Sequence, residues 1–267
     1  MGKGALVRVS LLGPIEVTRG DGRDVVLGMG RQAAVFAVLA LRANTVVSTG
    51  ALVQALWDPP VPEGAVATLH TYLSRLRRTV FADAGRWDRR GVLSSTGGAY
   101  RLTLAPGVLD LDVFEEHVDV AIRARLAGDD RAAAEQLDTA LALWRGEPLI
   151  ALPGPVLRYE RRRLHERWLA VKHDRLRLDI GLGGSRRVIG ELSALLDTCP
   201  LQEQWANLLM VALYRSGRQA DALQVYASMR RRLAEELGIS PGDELVATYL
   251  RILRAQPVGL PELARAL

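Results

Sequence analysis

Hydrophobic and polar positions change their period along this chain. Leu6–Leu12 alternates well enough for a strand, and "LLGPIEV" carries it past Gly13-Pro14, a turn or bulge signal. Asp21-Gly22 marks a second turn before a short strand, Val25–Leu27. "RQAAVFAVLALRAN" is apolar nearly all round, which predicts a buried helix stopped at Asn44. After a brief strand at Val46-Val47, Ser48 can cap a helix, "TGALVQALW", that ends at Trp57. "DPPVPEG" is a stiff loop, and Pro62 suits the first turn of the helix that follows. Two short strands, Val92–Ser95 and Tyr100–Leu104, then flank Thr96-Gly97-Gly98-Ala99.

The third of these helices, Glu63–Val80, contains "TLHTYLSRLRRTV". At the helical step, Leu69, Leu73, Leu76 and Val80 fall within an arc of about 60°, with Tyr72 at its edge. The opposite face carries Ala67, Thr71, Ser74, Arg75 and Arg78, and no acid occurs between Thr68 and Thr79. An ordinary solvated helix mixes acids with its bases. Small and hydroxyl residues interleaved with guanidinium groups are what a helix needs to enter a major groove. Those five residues are therefore the candidate base-reading set. The order of strands, three helices and a terminal hairpin predicts a winged helix-turn-helix over residues 1–105. Its flanks supply candidate phosphate contacts: His70, Arg77, Arg86, Arg89, Arg90, Thr96, Gly97 and Arg101.

Charge supports that division. Residues 1–105 hold 13 Lys+Arg and 7 Asp+Glu, whereas the remainder holds 22 and 23, so the positive excess is all N-terminal. Such asymmetry predicts one polyanion-binding domain and one neutral domain with another task. Only Lys3 and Lys172 are lysine, a bias that a GC-rich genome also produces.

From Pro106-Gly107 onward the pattern is all helical. "LDLDVFEEHVDVAIRARLAG", "DDRAAAEQLDTALALW" and a long segment with Leu157, Leu164, Val171 and Leu178 seven apart are followed by four further helices. Gly184 and Gly217 lie 33 residues apart, and "LYRSGRQADALQVY" has the spacing of a tetratricopeptide helical pair. The expected fold is thus an α+β winged helix-turn-helix at 1–105 and an all-α, tetratricopeptide-like domain at 108–255. Residues 256–267 are expected to be a C-terminal tail. In "RYERRRLHERW", Glu160 and Glu166 favour helix-surface pairing one turn away, with a second nucleic-acid or polymerase contact as the other reading. His165 and His173 have no third ligand nearby and read as ordinary surface or boundary residues; Trp144, Trp168 and Trp205 read as core.

The single cysteine, Cys199, rules out an internal disulfide framework and reads as a buried, inert thiol. No run of 18 apolar residues or signal peptide is present, so the expectation is a cytoplasmic protein with no membrane partner. There is no phosphate-binding P-loop, HExxH, CxxC or GxSxG, so neither an enzyme nor a cofactor is expected.

"LLGPIEV", "RQAAVFAVLALRANTVVS", "LVQALW", "TLHTYLSRLRR" and "GGAYRL" occur in order, followed by "LDLDVFEEHV…RLAGDDRAAAEQLDTALALWRGEPL". This set resembles the Streptomyces antibiotic regulatory protein family, across about residues 6–255. The resemblance implies an OmpR-type winged helix joined to a bacterial transcriptional activation domain. It implies an activator of secondary-metabolite gene clusters that binds direct repeats in double-stranded DNA near the −35 element, as a homodimer on DNA. It also implies recruitment of RNA polymerase holoenzyme with its sigma factor. The "WDPPVPEG" loop matches the place where OmpR-type proteins meet polymerase, making Asp58 and Glu63 candidate contacts; a rigid connector is the other reading. The family's wing pattern ends in Gly-Tyr, whereas here Ala99 intervenes. A second class of function remains open: a ligand- or peptide-responsive helical sensor whose DNA binding is regulated or repressive.

Overall fold

The computed structural model describes residues 6–19, 22–80 and 92–260. Contacts gather the chain into two compact units. The first runs up to Asp119 and adds Thr139–Trp168; the second is Val120–Asp138 with the chain from Leu169 onward.

The first unit opens with an antiparallel sheet in the order β1 (Leu6–Ser10), β2 (Glu16–Arg19), β3 (Asp24–Val25). β1 is shorter than the alternation predicts, and the reason is tertiary. The Leu11 and Leu12 N–H groups leave the ladder to donate to the buried Asp110 carboxylate. Val9 likewise donates to the Val108 carbonyl at 2.8 Å.

Helix α1 (Arg31–Leu41) is buried from Ala33 to Ala40, as its all-round apolar character requires. Its stop is built by Asn44, at φ 63°, whose N–H donates to the Leu102 carbonyl. The Asn44 amide also brackets Leu104, accepting its N–H and donating to its carbonyl, both at 3.1 Å. β4 (Val47–Ser48) leads directly into α2 (Thr49–Leu56), and the Ser48 hydroxyl accepts the Ala51 N–H. α3 (Ala65–Thr79) starts two residues later than the pattern suggests. Pro62 lies in the turn before it, accepting the Ala65 N–H, and does not begin the helix. β5 (Leu93–Thr96) and β6 (Ala99–Leu102) complete a second sheet, ordered β4-β6-β5. β6 ends at Leu102 and not at Leu104, whose backbone groups Asn44 has taken.

Past residue 105 the chain stays within the first compact unit. α4 (Asp110–Leu126) begins at the carboxylate that holds Leu11 and Leu12. After α5 (Asp130–Leu141), the Arg145 N–H donates to the Leu12 carbonyl and Leu149 to Gly13. Gly13, at φ 152°, lies so near that an added Cβ would sit 3.0 Å from Arg145 Cβ. Before α6 (Pro155–Gly181), a Cβ on Gly154 would sit 2.6 Å from the Ala55 carbonyl oxygen. Burial of backbone groups must be matched by hydrogen bonds, and here the partners come from beyond residue 105.

The second unit is helical throughout its described residues outside the turns. α7 (Ser185–Thr198), α8 (Glu203–Arg215), α9 (Gln219–Leu237) and α10 (Asp243–Leu253) pack successively, with α8 also meeting α10. The heptad-spaced Leu157, Leu164, Val171 and Leu178 of α6 are all buried, as is Trp205 of α8. Trp144, Trp168 and Cys199 are half-buried, so the thiol is less enclosed than expected. No helix among the described residues is long and apolar enough to cross a membrane.

Candidate nucleic-acid interface

α3 owes its orientation to one apolar edge. Ala65, Leu69, Leu73 and Leu76 are buried, and Val80 follows them. The other side is open: Val66, Ala67, His70, Thr71, Ser74, Arg75 and Arg78 are all exposed. The five residues expected to read bases thus share one solvent face. Val66, 45% exposed, joins them. The Thr71 hydroxyl donates to the Ala67 carbonyl at 3.1 Å, so its donor is spent within the helix. Arg75 and Arg78 have no ion-pair or hydrogen-bond partner among the described residues and present their full donor forks to solvent.

Arg77, expected among the phosphate contacts, is engaged within the protein. Its Nε and Nη2 donate to the Leu93 carbonyl at 3.3 and 3.2 Å, and its guanidinium lies 6.0 Å from the Tyr100 ring centre. It fastens α3 to the hairpin and is half-buried. His70 is exposed on the same side, 6.4 Å from Tyr100 between ring centres. The hairpin turn is only Gly97-Gly98, both at positive φ, with Thr96 paired to Ala99. Two consecutive residues of positive φ define the tight turn whose twist suits a hairpin. Ala99 therefore stands inside the strand, paired also with Ser48, which fixes the turn register. Thr49 holds the tip: its N–H and hydroxyl both donate to the Gly98 carbonyl, at 3.0 and 2.6 Å. Nothing in the local pattern signals that tether. Thr96, Gly97 and Arg101 are exposed, and Arg86, Arg89 and Arg90 lie outside the described residues.

The loop after α2 is not free. Asp58 is engaged by both Nη atoms of Arg158 from α6, which holds its carboxyl below the usual carboxylate range. Glu63 is exposed. The arginine-rich start of α6 pairs mostly outside its own helix, against the local pairing favoured by its spacing. Arg163 does meet Glu160, but Arg161 donates to the Leu149 and Leu152 carbonyls, and Arg167 grips Glu115 at 2.7 Å. His165 stacks on Trp168, and His173 lies against Trp205. Among the described residues no group of three His, Cys, Asp or Glu is arranged to hold a metal ion.

A small sheet, three helices, a hairpin and a helical remainder define the class on which the comparisons agree. Residues 109–253 match the family model described as the bacterial transcriptional activator domain. The chain is 35% identical to the regulatory protein DnrI of Streptomyces peucetius, over 94% of this chain and 93% of that protein. It is 42% identical to the regulatory protein AfsR of Streptomyces coelicolor over 98% of its own length, but spans only 26% of AfsR. Among solved structures, Mycobacterium tuberculosis EmbR in complex with a low affinity phosphopeptide superposes with a TM-score of 0.88 at 35% identity. That match covers 96% of this chain and 67% of EmbR. The chain belongs to the Streptomyces antibiotic regulatory protein family of transcriptional regulators.

Proposed function

We propose that this protein is a sequence-specific transcriptional activator of a secondary-metabolite gene cluster. The reading rests on the open face of α3, which carries Ala67, Thr71, Ser74, Arg75 and Arg78 with no acid among them. α2 and α3 act as a helix-turn-helix, α3 as the recognition helix, and the β5–β6 hairpin as a wing. Arg75 and Arg78 are suited to bidentate bonds with guanine, and Thr71, its donor already used, offers its methyl to thymine. Thr96, Gly97 and Arg101 on the hairpin, with His70, would grip the phosphates on either side. Arg86, Arg89 and Arg90 would add to that grip. Protomers bind direct repeats head to tail, about one helical turn apart, as a dimer on DNA. The helical remainder, of tetratricopeptide-like design, and the loop bearing Asp58 and Glu63 meet RNA polymerase holoenzyme, its sigma factor included.

The test is a footprint of the purified protein on promoters of its neighbouring genes, with and without polymerase holoenzyme. Protected direct repeats beside the −35 element, extended by added polymerase, are expected. Binding that excludes polymerase would make the protein a repressor and defeat the reading.

A further inference from the structure

We propose that the turn between α6 and α7 binds the phosphoryl group of a small metabolite. α6 ends at Gly181 and α7 begins at Ser185. Between them Gly183 adopts φ 90°, and the Gly184 N–H donates to the Asp179 carbonyl at 2.8 Å. A Cβ on Gly184 would stand 2.9 Å from that oxygen, so only glycine closes the turn this tightly. The closure leaves a cavity of about 470 Å³ at the start of α7.

Among the described residues its wall carries Ser185, Arg186, Arg187, Arg215 and Ser216, and no acid. Ser185 is only 6% exposed, yet its hydroxyl has no hydrogen-bond partner among the described residues. The hydroxyl oxygen itself is not enclosed, so an otherwise buried side chain leaves one unpaired donor open on the cavity wall, where a ligand oxygen can take it. Among the described residues Arg215 is held by carbonyls alone, those of Ile180 and Val258 at 3.2 and 3.1 Å, and no carboxylate there pairs with it. Arg186 is exposed and has no partner among the described residues, while Arg187 is shared with Asp179.

The helix end adds to this. The first turn of α7 contains no acid, and its cap, Gly184, supplies no side-chain oxygen to the first N–H groups. Arginines at the positive end of a helix dipole are unfavourable by themselves, and a bound anion, attracted by both, offsets that repulsion. Forked guanidinium donors and a hydroxyl match phosphate oxygens in geometry. The volume exceeds what a bare ion needs and lies within the roughly 300–1,000 Å³ of small-ligand pockets. A phosphorylated metabolite is therefore the fitting occupant.

Thermal unfolding of the full chain, at constant ionic strength kept with chloride, tests this with inorganic phosphate and ribose 5-phosphate as probes. Both should raise Tm saturably, ribose 5-phosphate at the lower concentration. Arg186→Ala, at an exposed position, should weaken the half-saturating concentration about tenfold, the loss of one charge-assisted bond. Ser185→Ala should weaken it as well, and the double variant Arg75→Ala/Arg78→Ala should leave it unchanged. An equal Tm rise with chloride alone, or an unaltered response in Arg186→Ala, would overturn the site. Loss of the response in the Arg75/Arg78 variant would put the phosphate on α3 and equally overturn it. A phosphoserine hexapeptide that binds more tightly than ribose 5-phosphate would overturn the assignment to a small metabolite.

Discussion

The Asp110 carboxylate takes the Leu11 N–H into a bidentate grip, at 2.8 and 2.9 Å, ninety-nine residues away in sequence. Oδ2 also accepts the Leu12 N–H at 3.0 Å, and Arg145 stands 3.8 Å off. The first residue of α4 thereby terminates β1 and joins the start of the activator domain to the N-terminal sheet.

Asp110→Ala leaves two buried N–H groups unpaired and should cost about 2–4 kcal/mol, read by urea unfolding. Burial pushes the Asp110 carboxyl up from its ordinary value, against the opposing pull of the Leu11 and Leu12 amides and Arg145. The folded state thus holds this proton more firmly than the unfolded chain. This residue's contribution is fully present below the unfolded-state value and declines as pH rises through the folded one. Asp110→Asn keeps an acceptor without a buried charge, so it should recover most of the stability lost in the alanine variant. Equal losses in the two variants would show that the charge itself matters.

Arg75 and Arg77 are two residues apart and should behave differently. Arg75→Ala should lower affinity for the cognate repeat by about 1–3 kcal/mol and relax preference at one base position, with little effect on melting. Arg77→Ala removes the bonds to the Leu93 carbonyl and should destabilise the fold by about 1 kcal/mol. Its effect on DNA binding should be the same for every sequence. Competition binding with single-base variants of the repeat separates the two, and a uniform loss from Arg75→Ala would remove its role as a base reader.

The Asp58–Arg158 pair discriminates between a polymerase contact and a connector. Both side chains are about half exposed, so neither Asp58→Ala nor Arg158→Ala should move Tm appreciably. If Asp58 contacts polymerase, transcription in vitro falls in Asp58→Ala and survives in Arg158→Ala. Equal loss in both would mean that the pair only positions the loop.

Binding should weaken with salt. If about five phosphates are neutralised per protomer, as the proposed contacts imply, log affinity should fall against log salt with a slope near −4 to −5. Replacing an arginine proposed to grip the backbone, such as Arg101, should flatten the slope by about one, whereas Thr71→Ala should leave it unchanged; titrations between low and physiological salt read this directly.

The sequence by itself determined the order of elements and the face of α3. A period of 3.6 with Leu69, Leu73 and Leu76 on one side leaves Arg75 and Arg78 only one place to go. The same local chemistry foretold the Ser48 cap and the breaks at Asn44 and Gly97-Gly98, since caps and turns depend on residues within a few positions. Only the tertiary structure decided the partners of charge. Arg77 lies near the exposed arginines in sequence yet turns to Leu93. Arg158, Arg161 and Arg167, spaced for local pairs, reach Asp58, Leu149 and Glu115 instead. The reach of a long side chain exceeds one helical turn, so its partner is set by whichever element packs beside it, and periodicity carries no record of that. The compact first unit has the same origin. Composition changes near residue 105, but the amides of Leu11 and Leu12 must be satisfied, and the carboxylate that satisfies them belongs to Asp110.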